Sequence, residues 1–122
     1  MNKNKNIYLV IFGMLVSSQM EAAIYEAKTR GGHDFTLETS DERVTGKTTE
    51  FELCGESVGV VKKVKLWMPD HNHGSTPVQL GDVSDGCRKL TRVNFTMPGD
   101  WEVRLELEDG DSGAFEVSVE RQ

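Results

Sequence analysis

The chain reads as an all-β protein, an antiparallel sandwich of short strands, and three observations carry that reading. Apolar residues recur with period two, as in Trp101, Val103, Leu105 and Leu107, and not with the period of a helix. Clusters of Gly, Pro, Asp and Ser interrupt these runs at roughly ten-residue spacing, as between the strands of a sandwich or barrel. Behind an N-terminal leader about 100 residues remain, enough for one domain with a single modest core and not for two.

The leader is residues 1–23. Lys3 and Lys5 precede the apolar run Ile7 to Val16, and the small or polar segment Ser17 to Ala23 follows, the pattern of a secretory signal peptide cleaved after Ser18 or Ala23. The apolar run is too short to span a bilayer comfortably as a finished helix. No membrane insertion is expected after cleavage, with an uncleaved anchor as the alternative, and no cysteine lies near either cleavage point to carry a lipid. Residues 24–122 form the single predicted domain.

Within it, Ile24 to Gly32 is a polar lead-in of no assigned type. Phe35 and Leu37 mark the first strand, and Phe51 and Leu53 mark the second, which ends at Cys54 after the polar loop Glu38 to Glu50. Gly55-Glu56-Ser57 turns the chain into a third strand from about Val60, with Val64, Leu66 and Met68 on one face and Lys63, Lys65 and Trp67 on the other. Pro69 ends it, because proline lacks a ladder donor and holds its predecessor extended. A short fourth strand spans Val78 to Leu80, and the turn-forming cluster Gly81 to Gly86 follows. The fifth begins near Cys87 and carries Val93, Phe95 and Met97 inward. Pro98-Gly99-Asp100 leads to the sixth, Trp101 to Leu107, and the turn Asp109 to Gly113 leads to the seventh, with Phe115, Val117 and Val119 inward. About seven such strands favour an immunoglobulin-like sandwich, with barrels as the competing architecture.

Charge narrows the partners. Cleavage after Ser18 would remove two lysines and no acidic residue, taking the net charge from −6 to −8. That sign argues against nucleic acid and anionic lipid and is compatible with cations. Two cysteines in an exported chain most economically pair with each other, so Cys54 and Cys87 are expected to form a disulfide in an oxidising compartment. The alternative is a pair of thiolate metal ligands, which lacks the close Cys-x-x-Cys spacing of a zinc site.

If successive strands run antiparallel, the third and fifth point the same way. Met68 and Met97 then share one pole of the sandwich, while Cys54 and Cys87 meet at the other. His33 falls at the cysteine pole, and Asp100 with the loop containing Asp41 and Glu42 falls at the methionine pole. His71 and His73 follow Met68 at i, i+2 spacing, so an extended loop past Pro69 would project both imidazoles to one side. Met68, His71, His73 and Met97 thus constitute a candidate metal site of two imidazoles and two thioethers. Thioethers select soft ions, copper(I) above copper(II), and stay available where thiols oxidise. The bland alternative makes the methionines core filler and the histidines a solvated loop. Trp67 and Trp101 read as packing and rim residues.

Other chemistry is thinly represented. The turns Gly81 to Gly86 and Asp109 to Gly113 lack the ligand count of an EF-hand calcium loop. Asn94-Phe95-Thr96 matches a glycosylation acceptor but falls within a predicted strand. Neither a Gly-x-Ser-x-Gly elbow, nor His-Glu-x-x-His, nor a nucleophile placed beside a histidine with an orienting acid is legible, so no enzymatic activity is expected.

Two motifs, Met68-Pro69-Asp70-His71-Asn72-His73-Gly74 and Phe95-Thr96-Met97-Pro98-Gly99-Asp100-Trp101, make residues 48–119 resemble the YtkA-like and FixH-like families of bacterial envelope proteins. The resemblance implies an immunoglobulin-like sandwich in the periplasm or on the cell surface, associated in some members with copper handling or oxidase assembly. The ligand set is also similar in kind to the His/Met site of periplasmic copper chaperones. Asn72 stands where the families usually have glycine, and the two cysteines are not part of their pattern. Two functions follow as expectations: a periplasmic copper-binding or copper-delivery protein working with an envelope or inner-membrane partner, or a non-metal interaction module contacting an envelope protein.

Overall fold

A computed structural model describes residues 23–39 and 48–121. The expected signal segment up to residue 22, and Asp41 and Glu42, lie outside the described residues. Among the described residues nine strands form two antiparallel sheets packed face to face. They are β1 (Ile24–Lys28), β2 (Asp34–Thr39), β3 (Thr48–Cys54), β4 (Val61–Met68), β5 (His73–Gly74), β6 (Gln79–Ser84), β7 (Cys87–Asn94), β8 (Gly99–Leu107) and β9 (Ser112–Val119), with a 3₁₀ turn at Val58–Val60. One sheet has the order β1-β2-β3-β7-β6 and the other β5-β4-β8-β9. All seven expected strands have counterparts, but β7 ends at Asn94, leaving Phe95 and Met97 in the connection to β8, and β6 starts at Gln79, after Val78. The two additional ones are β1, in the lead-in left untyped, and the two-residue β5 inside the histidine loop.

Alternation explains most of the core. Phe35, Leu37, Phe51 and Leu53 from one sheet meet Leu66, Trp101, Val103 and Phe115 from the other, all buried, with charged neighbours facing out. Two irregularities let residues three apart both point inward. Val61 pairs with Leu107 while Lys63 pairs with Glu106, so Lys62 is an extra residue, and Val61 and Val64 are both buried. Along β7 the partners step from Leu90 to Val93 as those on β3 step only from Phe51 to Thr49. The extra residue sits by Arg92, whose φ is 60°, and the bulge buries both Leu90 and Val93.

The expected Gly81 to Gly86 turn is shorter than its composition implied. β6 runs on to Ser84, which pairs with Cys87, and only Asp85 and Gly86 make the turn, with φ of 53° and 76°. Positive φ at both central residues is the signature of a two-residue type I′ hairpin, for which Asp-Gly is well suited.

The ends of the sandwich differ in chemistry. Cys54 and Cys87 are direct cross-strand partners, with Cα atoms 4.0 Å apart and a formed disulfide. Arg88 caps that end: its Nη1 donates to the carbonyls of Val58 and Val61 at 3.2 Å, and its Nε donates to the Gly81 carbonyl. His33 belongs to the same end through a 2.7 Å contact between its Nδ1 and the Ser57 hydroxyl. β7 carries the chain from this pole to the opposite one over about 23 Å. There Met97 links β7 to β8, and the histidine loop follows β4.

Candidate metal centre

β4 ends at Met68, and the chain reverses at once. The His71 amide donates to the Met68 carbonyl and the Asn72 amide donates to the Pro69 carbonyl, each at 3.2 Å. Asn72 has φ of 52°, a left-handed conformation that asparagine tolerates better than most residues. The loop therefore does not continue extended past Pro69. It folds back so that His73 pairs with Met68 and Gly74 with Trp67. His71 is left exposed at the bend and His73 turns inward, with their ring centroids 6.1 Å apart and the planes tilted by 49°.

Directly paired residues on antiparallel strands project to the same face, so His73 shares the inner face of its sheet with Met68. There the edge of its ring meets Trp101, with centroids 5.8 Å apart at 84°. His73 Nδ1 lies 3.0 Å from the Gly74 carbonyl oxygen. A carbonyl only accepts, so Nδ1 carries the proton, and in the neutral ring Nε2 is left with its lone pair. That lone pair faces Met97 Sδ at 3.2 Å. A thioether is itself an electron-pair donor and carries no proton to offer. In that tautomer two donors converge with no hydrogen between them.

Met97 is held from behind. Trp101, fully buried, donates its indole N–H to the Met97 carbonyl at 2.9 Å and packs edge-on against Phe95. Sequence reasoning assigned Trp101 to packing; its hydrogen bond to the backbone of a candidate ligand was not readable from spacing. Gly99 was missed as well. A Cβ there would sit 2.6 Å from the Met68 methyl carbon, and its φ of +131° disfavours any side chain. Met68 is accordingly buried beneath the loop, its methyl group over Gly99. All four candidate residues lie at one pole, with His73 and Met97 in contact, Met68 in the core layer below, and His71 outermost.

Acidic groups flank the loop on one side. A hollow of about 400 Å³ beside the loop is lined by Asp70, Asp100, Glu102 and Glu116 together with Pro69 and Trp101. Glu102 is paired with Arg104 at 2.7 Å, and the field of the other three carboxylates, on the solvent side of the sheet, favours a cation. Asp100 is thus where the strand parity expects it. Asn94 of the Asn-Phe-Thr sequence ends β7 with its side-chain oxygen buried and without a hydrogen-bond partner among the described residues, while its carbonyl accepts from the Ser75 hydroxyl.

The two cysteines do not act as metal ligands in this state, since each sulfur is committed to the other. The other tryptophan, Trp67, lies on the outer face of its sheet, flanked by Lys65 Nζ and Arg104 Cζ, each 5.0 Å from the ring centroid. Among the described residues no helix is long and apolar enough to cross a membrane. No protein-family model, curated protein or solved structure matches the chain.

Proposed function

We propose that the protein is an exported copper-binding protein that holds copper(I) between His73 and Met97, with His71 and Met68 completing the ligand set, and passes it to an envelope or inner-membrane partner. The observation that carries this reading is the approach of His73 Nε2 to Met97 Sδ. At a tetrahedral zinc, nitrogen and sulfur lie about 2.0–2.1 Å and about 2.3 Å from the ion, which sets them about 3.5–3.6 Å apart. The observed 3.2 Å is slightly shorter, so a small rotation of either side chain would open the pair to admit an ion. The Nδ1–H to carbonyl hydrogen bond is the outer contact that orients a ligating imidazole and raises its basicity. A neutral thioether paired with imidazole selects copper(I) over harder cations.

The disulfide supports an oxidising compartment such as the periplasm. It also explains why methionine is the sulfur ligand at the other pole: thioethers form no disulfides. The two motifs that resemble the YtkA-like and FixH-like proteins supply the four ligands, which accords with a role in copper handling or oxidase assembly. An open carrier site, with His71 exposed at its rim, suits uptake and release better than permanent retention.

The test is copper(I) titration of the mature protein against a chromophoric chelator. One equivalent should be withheld from the chelator by the parent and lost in the His71→Ala, His73→Ala variant. Equal retention by both would sink the proposal.

A second reading, a non-metal interaction module, is favoured by Trp67, which presents a large aromatic surface between two cations on the solvent side of β4 and β8. Trp67→Ala separates the two: it should abolish partner capture on the module reading and leave copper binding intact on the first.

A further inference from the structure

The Cys54–Cys87 bridge is placed unlike the disulfide of immunoglobulin domains. There the bridge runs between the two sheets through the core. Here it joins neighbouring strands of one sheet, and alternation sets it on the solvent face. Phe51 and Leu53 are buried, so Glu52 and Cys54 project outward, and Cys87, the direct partner of Cys54, does the same. Both cysteines are only partly buried. A hollow of about 500 Å³ opens beside them, lined by Glu52, Asp82, Asp85, Cys87 and Lys89. A disulfide reachable from solvent is open to thiol exchange in a way that a core disulfide is not.

Reduction would leave a chelate already assembled. A carboxylate oxygen of Glu52 and the two sulfurs lie within 4.8 Å of one another. No hydrogen bond or ion pair claims the Glu52 carboxylate among the described residues, while the neighbouring Lys89 is engaged by Glu50. The backbone under the sulfurs is held without the bridge: Leu53 pairs with Arg88, Ser84 pairs with Cys87, and the Gly55 amide donates to the Gly86 carbonyl at 3.0 Å. Sulfur and oxygen ligands of a tetrahedral ion at about 2.3 Å and about 2.1 Å stand roughly 3.6–3.8 Å apart. The Glu52 oxygen already stands within 4.8 Å of both sulfurs, and the sulfurs, bonded in the bridge, would move apart to that spacing on reduction.

We propose that this end of the sandwich is a redox-gated site for a thiophilic cation such as zinc(II), closed as the disulfide and opened by reduction, with Cys54, Cys87 and Glu52 as ligands. In the opening step a small dithiol breaks the Cys54–Cys87 bond. Two electrons and two protons pass to the cysteines, and the dithiol leaves as its own cyclic disulfide. Metal binding then releases the two thiol protons to solvent. The site lies at the pole opposite the histidine loop and stands whether or not copper binds there.

The experiment uses the full mature chain, reduced with a phosphine and desalted without oxygen, then titrated with cobalt(II) and zinc(II). The reduced protein should bind one equivalent of cobalt(II) with thiolate-to-metal charge-transfer absorption, and zinc(II) should displace it. The oxidised protein should give no such band. Cys54→Ser or Cys87→Ser should remove it, and Glu52→Gln should weaken zinc(II) by about tenfold or more, the scale of losing even an outer-shell partner. A reduced, folded protein without the band, or a band that survives either serine variant, overturns the proposal. Unfolding on reduction that one equivalent of zinc(II) does not reverse, followed by near-ultraviolet circular dichroism, overturns it equally, and an unchanged zinc(II) affinity in Glu52→Gln removes the carboxylate from the ligand set.

Discussion

His73 Nε2 and Met97 Sδ face each other at 3.2 Å, two electron-pair donors brought together by a hairpin on one side and an inter-sheet turn on the other. In the neutral ring with Nδ1 donating to the Gly74 carbonyl, no proton lies between the pair. Met97→Leu, nearly isosteric, should keep the fold and weaken copper(I) by at least about tenfold while changing copper(II) far less. His73→Ala should weaken both ions. Competition titrations in each oxidation state read the difference directly.

Gly99 tests how tightly the buried thioether is seated. The backbone there has φ of +131°, and an added Cβ meets the Met68 methyl at 2.6 Å. Gly99→Ala should cost about 1–3 kcal/mol from the backbone conformation alone. It should also push Met68 off its position, because the methyl end is the part free to move. Denaturant melts measure the first effect. A loss of copper(I) affinity in the still-folded variant would register the second, and an unchanged affinity would show that Met68 is core filler.

At the other pole Asp111 ties the β1–β2 turn to the β8–β9 turn. Its Oδ2 accepts from the Thr29 hydroxyl at 2.6 Å and its Oδ1 from the amides of Gly31 and Ser112 at 2.9 and 2.8 Å. The Thr29 hydrogen bond is the largest influence holding its pKa below the usual 3.8; partial desolvation opposes it, and the two amides and His33 add to the lowering. A folded-state pKa below the unfolded value means the stabilisation is complete above pH 3.8 and is lost as the pH falls through the folded value. Asp111→Asn should therefore melt at a lower temperature than the parent at neutral pH, and the gap should close in strong acid. A gap of constant size across that range would mean that the carboxylate charge is irrelevant to the clasp.

Those two turns also mark where reading the sequence works and where it fails. Runs such as Phe35 and Leu37, or Trp101 to Leu107, keep strict alternation, so strand identity and inward face are legible without coordinates. Strand direction follows from their order, which is why Met68 and Met97 come out at one pole and the cysteines at the other. The lead-in Ile24–Lys28 is illegible because its largest apolar residue, Ile24, is the exposed one, with a relative exposure of 68%, and Tyr25 and Ala27 are the inward pair. Arg92 and Lys62 sit at bulges that carry no composition signal, since neither is a glycine. The backward fold at Asn72 is the most consequential miss. Parity arguments assume an extended chain, and one left-handed residue places His71 outside and His73 against Trp101.

The disulfide and the histidine loop should be energetically separable. Cys54 and Cys87 lie at one end of β3 and β7, whereas Met97 follows the far end of β7, about 23 Å along the strand. The bridge closes a segment with a sequence separation of 33, and its constraint on the unfolded chain contributes roughly 3–4 kcal/mol on the loop-entropy account. For a domain of this size that corresponds to a fall in melting temperature of more than about 10 °C in the Cys54→Ala, Cys87→Ala variant. The ligands at the opposite pole are held by other means: the β4–β5 pairing, the amide-to-carbonyl bonds of the loop, and the indole of Trp101 on the Met97 carbonyl. None of these touches the cysteines. Copper(I) affinity of the double variant, measured well below its melting temperature, should therefore match that of the oxidised parent within about twofold, as for independent sites farther apart than about 10 Å. A large affinity loss in a folded double variant would mean that strain or register is transmitted along β7, and the separation of a structural pole from a binding pole would fail.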